Sequence, residues 1–552
     1  MDPFTKGAFS LNSYQVEILD ECLLKKSGGL ALPMGAGKTL ISLMLALQLS
    51  GDIKGGYKYI LFVCSKSLVA NCEYEISKFF GKSLHYEVFH PNFVDCSRWA
   101  PSKKSRLVIT TADMIAKFYR ETQLEQRFTA YFTDPDDPFI LTKTYNSPGA
   151  TPFLNHPRGG GYLFSVKWGC LIIDEPQLYT NINTSRCQGM GAICANYRWG
   201  LSGTMFDEPK VERILGYFVI LDIPNTPRNL PAVSTYIYSP EYKGLRPTIV
   251  SRDTGFFILP KIEKIIVSHS LTKEEETLYL SMRGVIRILR GKVQEFRAQG
   301  DVGGTRRFSS FLLAMITYMR QFIICPLIPL ASIALDLADF RNRSELSQTI
   351  MNEFRGLNLT AWLNDTDSVY SSRIREAVKT IQKHSSDRVI VFSCFRSCIE
   401  ILEAYLPADR PTFSLTSKMN VEKRGETIEE FGESENGLLL LTYQLGAVGL
   451  NLQMGSVVLL LDFWWNFSKI TQAIARVIRY GQTAKTVYVY FFTANTGIEN
   501  CLFKKQLSKL AILDELMDGA WKTKIAPLKL ETILNIIEAE GNRNLISEIS
   551  KK

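Results

Sequence analysis

Two groups of short, unbroken apolar runs constrain the fold of this chain more than any other feature. The first group is KYILFVC (58–64), RLVITT (106–111), CLIIDE (170–175) and YRWGLSGT (197–204). The second is RVIVFSC (388–394), GLLLLTY (437–443), VVLLLDF (457–463) and VYVYFF (487–492). Each run has strand length and ends in small or polar residues. Runs of this kind, separated by helical patterns, are buried parallel strands with functional loops at their carboxyl ends. The expected fold is therefore α/β, with two parallel-sheet lobes in tandem.

A different composition lies between the groups. Residues 272–325 carry Glu, Leu, Arg and Met at helical spacing, which predicts a helical insertion. The expected division is lobe one over 1–225, a linker with the insertion over 226–370, lobe two over 371–510, and a helical tail over 511–552. Residues 124–166 are rich in aromatics, Pro and Gly and too long for an ordinary connection, which predicts a functional surface loop.

Composition excludes several classes. With 46% hydrophobic and 22% charged residues the chain is neither disordered nor fibrous. The formal net charge of +9 is compatible with a nucleic-acid partner without requiring one. The eleven cysteines are scattered, with no C-x-x-C, so neither a disulfide framework nor zinc is expected. The greasiest stretch, Phe311 to Leu337, is broken by Arg320, Gln321, Pro326 and Pro329, so no membrane span is expected. No signal peptide is read, and the expected setting is intracellular, in a nucleus or a viral replication or virion compartment.

Three motifs carry the chemistry. LALPMGAGKTL (30–40) places Gly35, Ala36, Gly37, Lys38 and Thr39 in a G-x-G-K-T loop ahead of a helical run. Glycine backbone can approach phosphate oxygens, the helix N-terminus adds positive dipole, Lys38 reaches the β and γ phosphates, and Thr39 reaches Mg²⁺. Leu32 stands where the strict pattern has its first Gly. IIDEPQ (172–177) sets Asp174 and Glu175 after a strand, suited to holding Mg²⁺ and orienting an attacking water. QAIARVIRYGQ (472–482) spaces Gln472, Arg476 and Arg479 at i, i+4 and i+7, one helix face from which an arginine completes a phosphoryl-transfer site.

Together these residues resemble the SWI/SNF-like ATPases of helicase superfamily 2, over most of residues 10–500. LNSYQVEIL (11–19) is similar to the family's opening Y-Q motif, in which Gln15 would read adenine. Residues 61–80 resemble motif Ia, 107–115 the next motif, 168–177 motif II, 197–204 motif III, 388–406 motif IV, 438–453 motif V and 461–483 motif VI. Residues 251–279 and MRQFIICPL (319–327) resemble two stretches that separate SWI/SNF-like proteins from other helicases. Motif II reads D-E-P-Q rather than D-E-x-H, Ala447 replaces a Gly, and Cys325 replaces a His. The compact chain resembles ATPases of large DNA viruses as much as cellular remodellers.

The resemblance implies two RecA-like lobes with ATP and Mg²⁺ between them. It implies catalytic roles for Lys38, Asp174, Glu175, Arg476 and Arg479, and nucleotide contacts from Gln15, Gly35, Ala36, Gly37, Lys38, Thr39 and Gly449. Lobe coupling would run through Gln177, Ser202, Gly203, Thr204 and Gln472. Non-specific contacts to duplex DNA phosphates would come from Ser65, Lys66, Thr110, Thr111, Ser393 and Thr442. The activity so implied is ATP-driven translocation on double-stranded DNA, with the +9 gathered along the face where phosphates run. Two other readings compete: a strand-separating DNA or RNA helicase, and a nucleotide-gated DNA-binding subunit of a transcription or repair complex. The 124–166 segment and the helical bridge offer docking surfaces for a protein partner.

Overall fold

The computed structural model describes residues 11–33, 36–51, 59–102, 104–121, 159–251, 260–330, 352–353, 371–446, 450–464, 467–479, 481–494, 496 and 498–499. The chain divides into two units between Leu259 and Pro260. Unit one is built on seven strands: β1 (Gly28–Ala31), β2 (Ile60–Cys64), β3 (Tyr86–Phe89), β4 (Leu107–Thr111), β5 (Trp168–Asp174), β6 (Ala195–Ser202) and β7 (Ile249–Ser251). They pair in parallel in the order β3-β4-β2-β5-β6-β1-β7.

Strand alternation sends side chains into two apolar clusters, one on each face. Leu61, Val63, Val108, Leu171 and Ile173 join one cluster, and Ile60, Phe62, Ile109, Cys170 and Ile172 join the other. A sheet covered on both faces needs strands apolar at every position, which is why these runs lack a polar alternation. The helix Lys38–Gly51 is buried from Leu40 through Leu47 and fills the second cluster.

Unit two repeats the plan with β8 (Lys261–His269), β9 (Val389–Ser393), β10 (Thr412–Ser414), β11 (Leu438–Thr442), β12 (Val457–Leu460) and β13 (Thr486–Ala494). These are parallel in the order β10-β11-β9-β12-β13-β8. Val389, Val391, Leu438, Leu440 and Leu459 enter one cluster, and Ile390, Phe392, Leu439, Leu441 and Val458 the other. Each of the eight runs of the sequence coincides with a strand.

The 226–370 stretch is not a body of its own. Its β7 closes the first sheet against β1, and its β8 pairs with β13 along nine residues of the second. The helices Lys273–Ala298 and Val302–Ile324 pack on one another and on Ala494 and Ile498 of unit two. The 124–158 part of the expected loop and the 511–552 tail lie outside the described residues. No disulfide joins any of the ten described cysteines, and among the described residues no helix is long and apolar enough to cross a membrane.

Glu275 fastens the insertion to the second sheet. It closes a capping box with Thr272 at the start of Lys273–Ala298, and its Oε1 accepts from Ser372 N at 2.9 Å at the start of the helix Ser372–Lys383. One buried carboxylate thus serves two helix N-termini, where negative charge is favoured. Next to it Arg373, fully buried, forms a two-pronged pair with Glu499 at 2.7 Å on each prong and donates to His269 Nε2 at 3.4 Å.

Burial, and then the Arg373 charge, pull the His269 imidazole down to about 2. The fold therefore keeps His269 neutral while the unfolded chain takes up a proton below about pH 6.5, so stability is lost as pH falls beneath that value. Urea unfolding of unit two followed from about pH 7 to about pH 5 should lose midpoint with a shallower slope in His269→Gln than in the unsubstituted chain. Equal slopes would remove His269 from this role.

Candidate nucleotide and nucleic-acid site

Parallel pairing brings the carboxyl ends of β1, β2, β4, β5 and β6 to one edge of the first sheet, and the candidate residues of unit one follow those ends. Beyond β1 the chain passes Leu32, whose N donates to Ser202 O at 3.2 Å, and turns through Ala36 and Gly37 into the helix Lys38–Gly51. Met34 and Gly35 lie outside the described residues. Gly37 has φ of +81°, and a Cβ there would stand 2.6 Å from Gln15 Nε2. The positive φ is what favours glycine, and a Cβ would in addition push the Gln15 amide aside. Lys38 Nζ donates to Leu32 O at 2.9 Å and Pro33 O at 3.1 Å, so its ammonium lies over the loop. Thr39 follows, half-buried in the first helical turn.

Gln15 sits against the same loop. It closes a capping box with Asn12 for the helix Ser13–Lys25, with bonds of 2.9 and 3.2 Å, and its Nε2 donates to Ala36 O at 3.4 Å. The side chain expected to read adenine therefore also braces the phosphate loop.

At the end of β5, Asp174 is half-buried and close enough to Cys72 and Tyr179 for its charge to raise both. Hydrogen bonding to Cys64 is the larger cause for Cys72, and burial for Tyr179. Glu175 takes a left-handed backbone, φ 51° and ψ 58°, with its N donating to Leu201 O at 2.7 Å. A left-handed non-glycine costs of order 1–3 kcal/mol and persists only where its surroundings impose it. Here Pro176 follows, and β6 comes so close that a Cβ on Gly200 would stand 2.8 Å from Pro176 Cγ.

The strained turn presents the Glu175 carboxylate to two donors. Ser202 Oγ donates to Oε2 at 2.6 Å, and Gln177 Nε2 donates to the same oxygen. Ser202 Oγ also accepts from Thr204 N at 2.9 Å, while Gly203 is exposed. Gln177 is only 2% exposed, turned inward onto Glu175. Motifs I, II and III thus form one hydrogen-bonded line, Lys38 to Leu32 to Ser202 to Glu175.

In unit two the helix Phe467–Val477 buries Ile470, Ala473 and Val477 and also Gln472. It stops before Arg479, so the one-face reading of Gln472, Arg476 and Arg479 needs correction. Leu452 N takes the Arg476 carbonyl at 3.2 Å and Gln482 Nε2 takes the Val477 carbonyl at 3.1 Å. With its last carbonyls satisfied from outside, the helix ends and the chain turns at Gly481, φ +94°. Arg479 lies in that turn rather than on the helix. Gly449 lies outside the described residues.

The segment entering that helix is strapped in a way the sequence reading did not anticipate. The carbonyls of Leu461, Asp462 and Phe463 accept from Arg373 Nη1 at 2.9 Å, Tyr443 OH at 2.7 Å and Arg320 Nη2 at 2.9 Å. The Asp462 carboxylate accepts from Ser393 Oγ at 2.8 Å and Cys394 N at 2.9 Å. Burial raises the Asp462 carboxyl above its usual range, opposed by Arg320. An aspartate ending the apolar run VVLLLDF was the available signal, since a buried carboxylate must find partners.

Three of the residues expected to contact DNA have their hydroxyls engaged within unit one or unit two. Ser393 is fully buried on Asp462; Thr110 is fully buried with its hydroxyl on Phe89 O at 3.0 Å; Thr111 is 3% exposed and receives Met114 N at 3.3 Å. Their hydroxyls brace strand ends. Lys66 is exposed, and Ser65 and Thr442 are half-buried.

Comparison with known proteins follows this division. The profile for the helicase conserved C-terminal domain matches residues 372–481, and that for the res subunit of type III restriction enzymes matches residues 8–140. DNA repair protein RAD5 of Cryptococcus neoformans is 35% identical over 172 residues, 30% of this chain and 14% of that protein. The putative helicase 172L of Invertebrate iridescent virus 6 is 23% identical across 86% of this chain and 82% of its own. DNA repair and recombination protein RAD54B of Gallus gallus is 22% identical across 81% of this chain and 51% of that protein. The chain therefore spans one-seventh of the RAD5 length and about half of RAD54B. A SWI2/SNF2 ATPase core of Sulfolobus solfataricus, solved in complex with dsDNA, is 19% identical, with 97% and 98% of the two chains covered and a TM-score of 0.37. The chain thus carries matches to two helicase-type domain families, at residues 8–140 and 372–481, and over most of its length is similar to a viral putative helicase and to RAD54B.

Gly37→Ala tests the loop geometry. It should lower affinity for a fluorescent ATP analogue at least tenfold while leaving the circular dichroism of the full chain unchanged, because the strain is local. Unchanged affinity would mean that Gly37 does not shape a nucleotide site.

Proposed function

We propose that this chain is a DNA-dependent ATPase that uses hydrolysis to translocate along double-stranded DNA. The observation that carries the reading is the hydrogen-bonded line from Lys38 to Glu175, which holds a cation and a carboxylate at the carboxyl edge of one parallel sheet. The residues fit a nucleoside triphosphate: the positive φ at Gly37 turns the loop backbone directly into the helix Lys38–Gly51, whose N-terminus favours anions. Thr39 and Asp174 would hold Mg²⁺, which when bound neutralises phosphate charge.

In this reading Lys38 turns from the loop carbonyls to the β and γ phosphates. Glu175 orients the attacking water, and Ser202 and Gln177 fix its carboxylate by donating to one oxygen, leaving the other for the water. Arg476 and Arg479 supply positive charge to the developing γ-phosphoryl charge, a role that demands correct placement of the strapped 461–463 segment ahead of them. Contacts to DNA through Lys66 and its neighbours would be to phosphates, without sequence preference and sensitive to salt.

Lys38→Ala should weaken nucleotide binding and abolish hydrolysis. Glu175→Gln should keep binding and lose turnover by about 10² or more. Normal turnover in either variant would refute the assignments. Translocation is read by ATP-dependent displacement of a third strand from a triplex, beside a fork-unwinding assay: displacement without unwinding is expected. Unwinding of the fork would favour a strand-separating helicase.

A further inference from the structure

The helical hairpin of unit two, residues 273–324, holds nine arginines and lysines against five acids, a net +4, with three of those acids, Glu274, Glu275 and Glu276, in the first turn away from the tip. From residue 277 to 324 eight basic residues stand against two acids. Both acids are engaged at home. Glu295 pairs with Lys292 at 3.2 Å, and Asp301 caps the second helix, its Oδ1 accepting from Gly304 N at 2.9 Å.

The arginines are ordered. At about 100° per residue, Arg283, Arg287, Arg290 and Arg297 fall within an arc of about 80° on the first helix and span about 21 Å along it. Arg306 and Arg307 start the second helix. Phe296 stacks on Phe308 with centroids 5.1 Å apart, which sets Arg297 and Arg307 at the same end of the hairpin. Arg287, Arg297, Arg306 and Arg307 are exposed, and none has an ion-pair partner among the described residues. Glu353 packs its carboxylate over Gly284 and offsets the inner end of the row, so the excess charge lies toward the tip.

We propose that this hairpin tip is a DNA-binding surface that holds the phosphate backbone of duplex DNA through Arg297, Arg306 and Arg307. The proposal deepens the reading above by naming where unit two meets its track. Guanidinium forks suit phosphate oxygens. The length of the row matches about six nucleotides of one strand at about 3.4 Å each. Around the tip the other exposed residues are Gln294, Ala298, Gln299, Gly300 and Gly303 with the engaged acids Glu295 and Asp301, and Val302 is the one large exposed apolar side chain among them. A protein partner would call for apolar anchors instead. The tip lies at the opposite end of the second helix from Arg320, the insertion's contact with the 461–463 segment, so basal hydrolysis does not depend on it.

The test compares the full-length chain with R297Q/R306Q/R307Q, measuring binding to a fluorescein-labelled duplex of mixed sequence across a salt series. Three lost phosphate contacts should make the slope of log Kobs against log salt shallower by about 2.7, with hydrolysis in the absence of DNA unchanged. The same slope and the same affinity in both proteins would overturn the proposal, and would leave an acidic protein as the partner for this tip. Binding is read directly. A chain whose hydrolysis ignores DNA would therefore defeat the translocase reading while the salt slopes still decided the hairpin.

Discussion

The line of hydrogen bonds from Lys38 through Leu32 and Ser202 to Glu175 is the constraint on which the first unit depends. It links three loops that are far apart in sequence and adjacent only because β1, β6 and β5 are neighbours in one parallel sheet. That order puts the loop after each strand at the same edge. It also explains why a strained residue is tolerated. Glu175 is left-handed because Leu201 O, Pro176 and the close passage of β6 leave it no alternative, and the strain aims its carboxylate at Ser202 and Gln177.

The second unit solves a related problem by different means. Its arginine-bearing segment follows β12, where three successive carbonyls are held by Arg373, Tyr443 and Arg320 from three different elements. Arg320 comes from the helical insertion and Arg373 from the helix that Glu275 ties to that insertion. The insertion is thereby part of the machinery that fixes the entry to motif VI. Buried charges of this kind contribute little net stability but lose much when one partner is removed, which suits them to specifying a geometry.

Much of this was legible in the sequence because it rests on local pattern. The eight apolar runs gave eight central strands, and the G-x-G-K-T and D-E-P-Q motifs gave the two chemical poles of unit one. The missed strands are short or polar: β1 opens on two glycines, and β8, KIEKIIVSH, alternates charged and apolar residues at a sheet edge. Thr110, Thr111 and Ser393 were expected at DNA, and the structure places their hydroxyls on Phe89 O, Met114 N and Asp462. A hydroxyl at a strand end serves equally to contact a ligand or to brace the turn, and sequence does not distinguish the two. The end of the motif VI helix before Arg479 depends on Leu452 and Gln482, which local helix signals cannot reveal. Gln15 had two tasks visible in its position, the cap and the loop, and only the family likeness suggested the third.

The central claim is that nucleotide hydrolysis in this chain answers to duplex DNA. Its most direct test is the steady-state rate of ATP hydrolysis measured with duplex DNA, with single-stranded DNA, with RNA and with no polynucleotide. The account predicts the greatest stimulation by duplex, with loss of that stimulation as salt rises. A rate that is the same with and without duplex, or one that RNA raises more than duplex does, would contradict it.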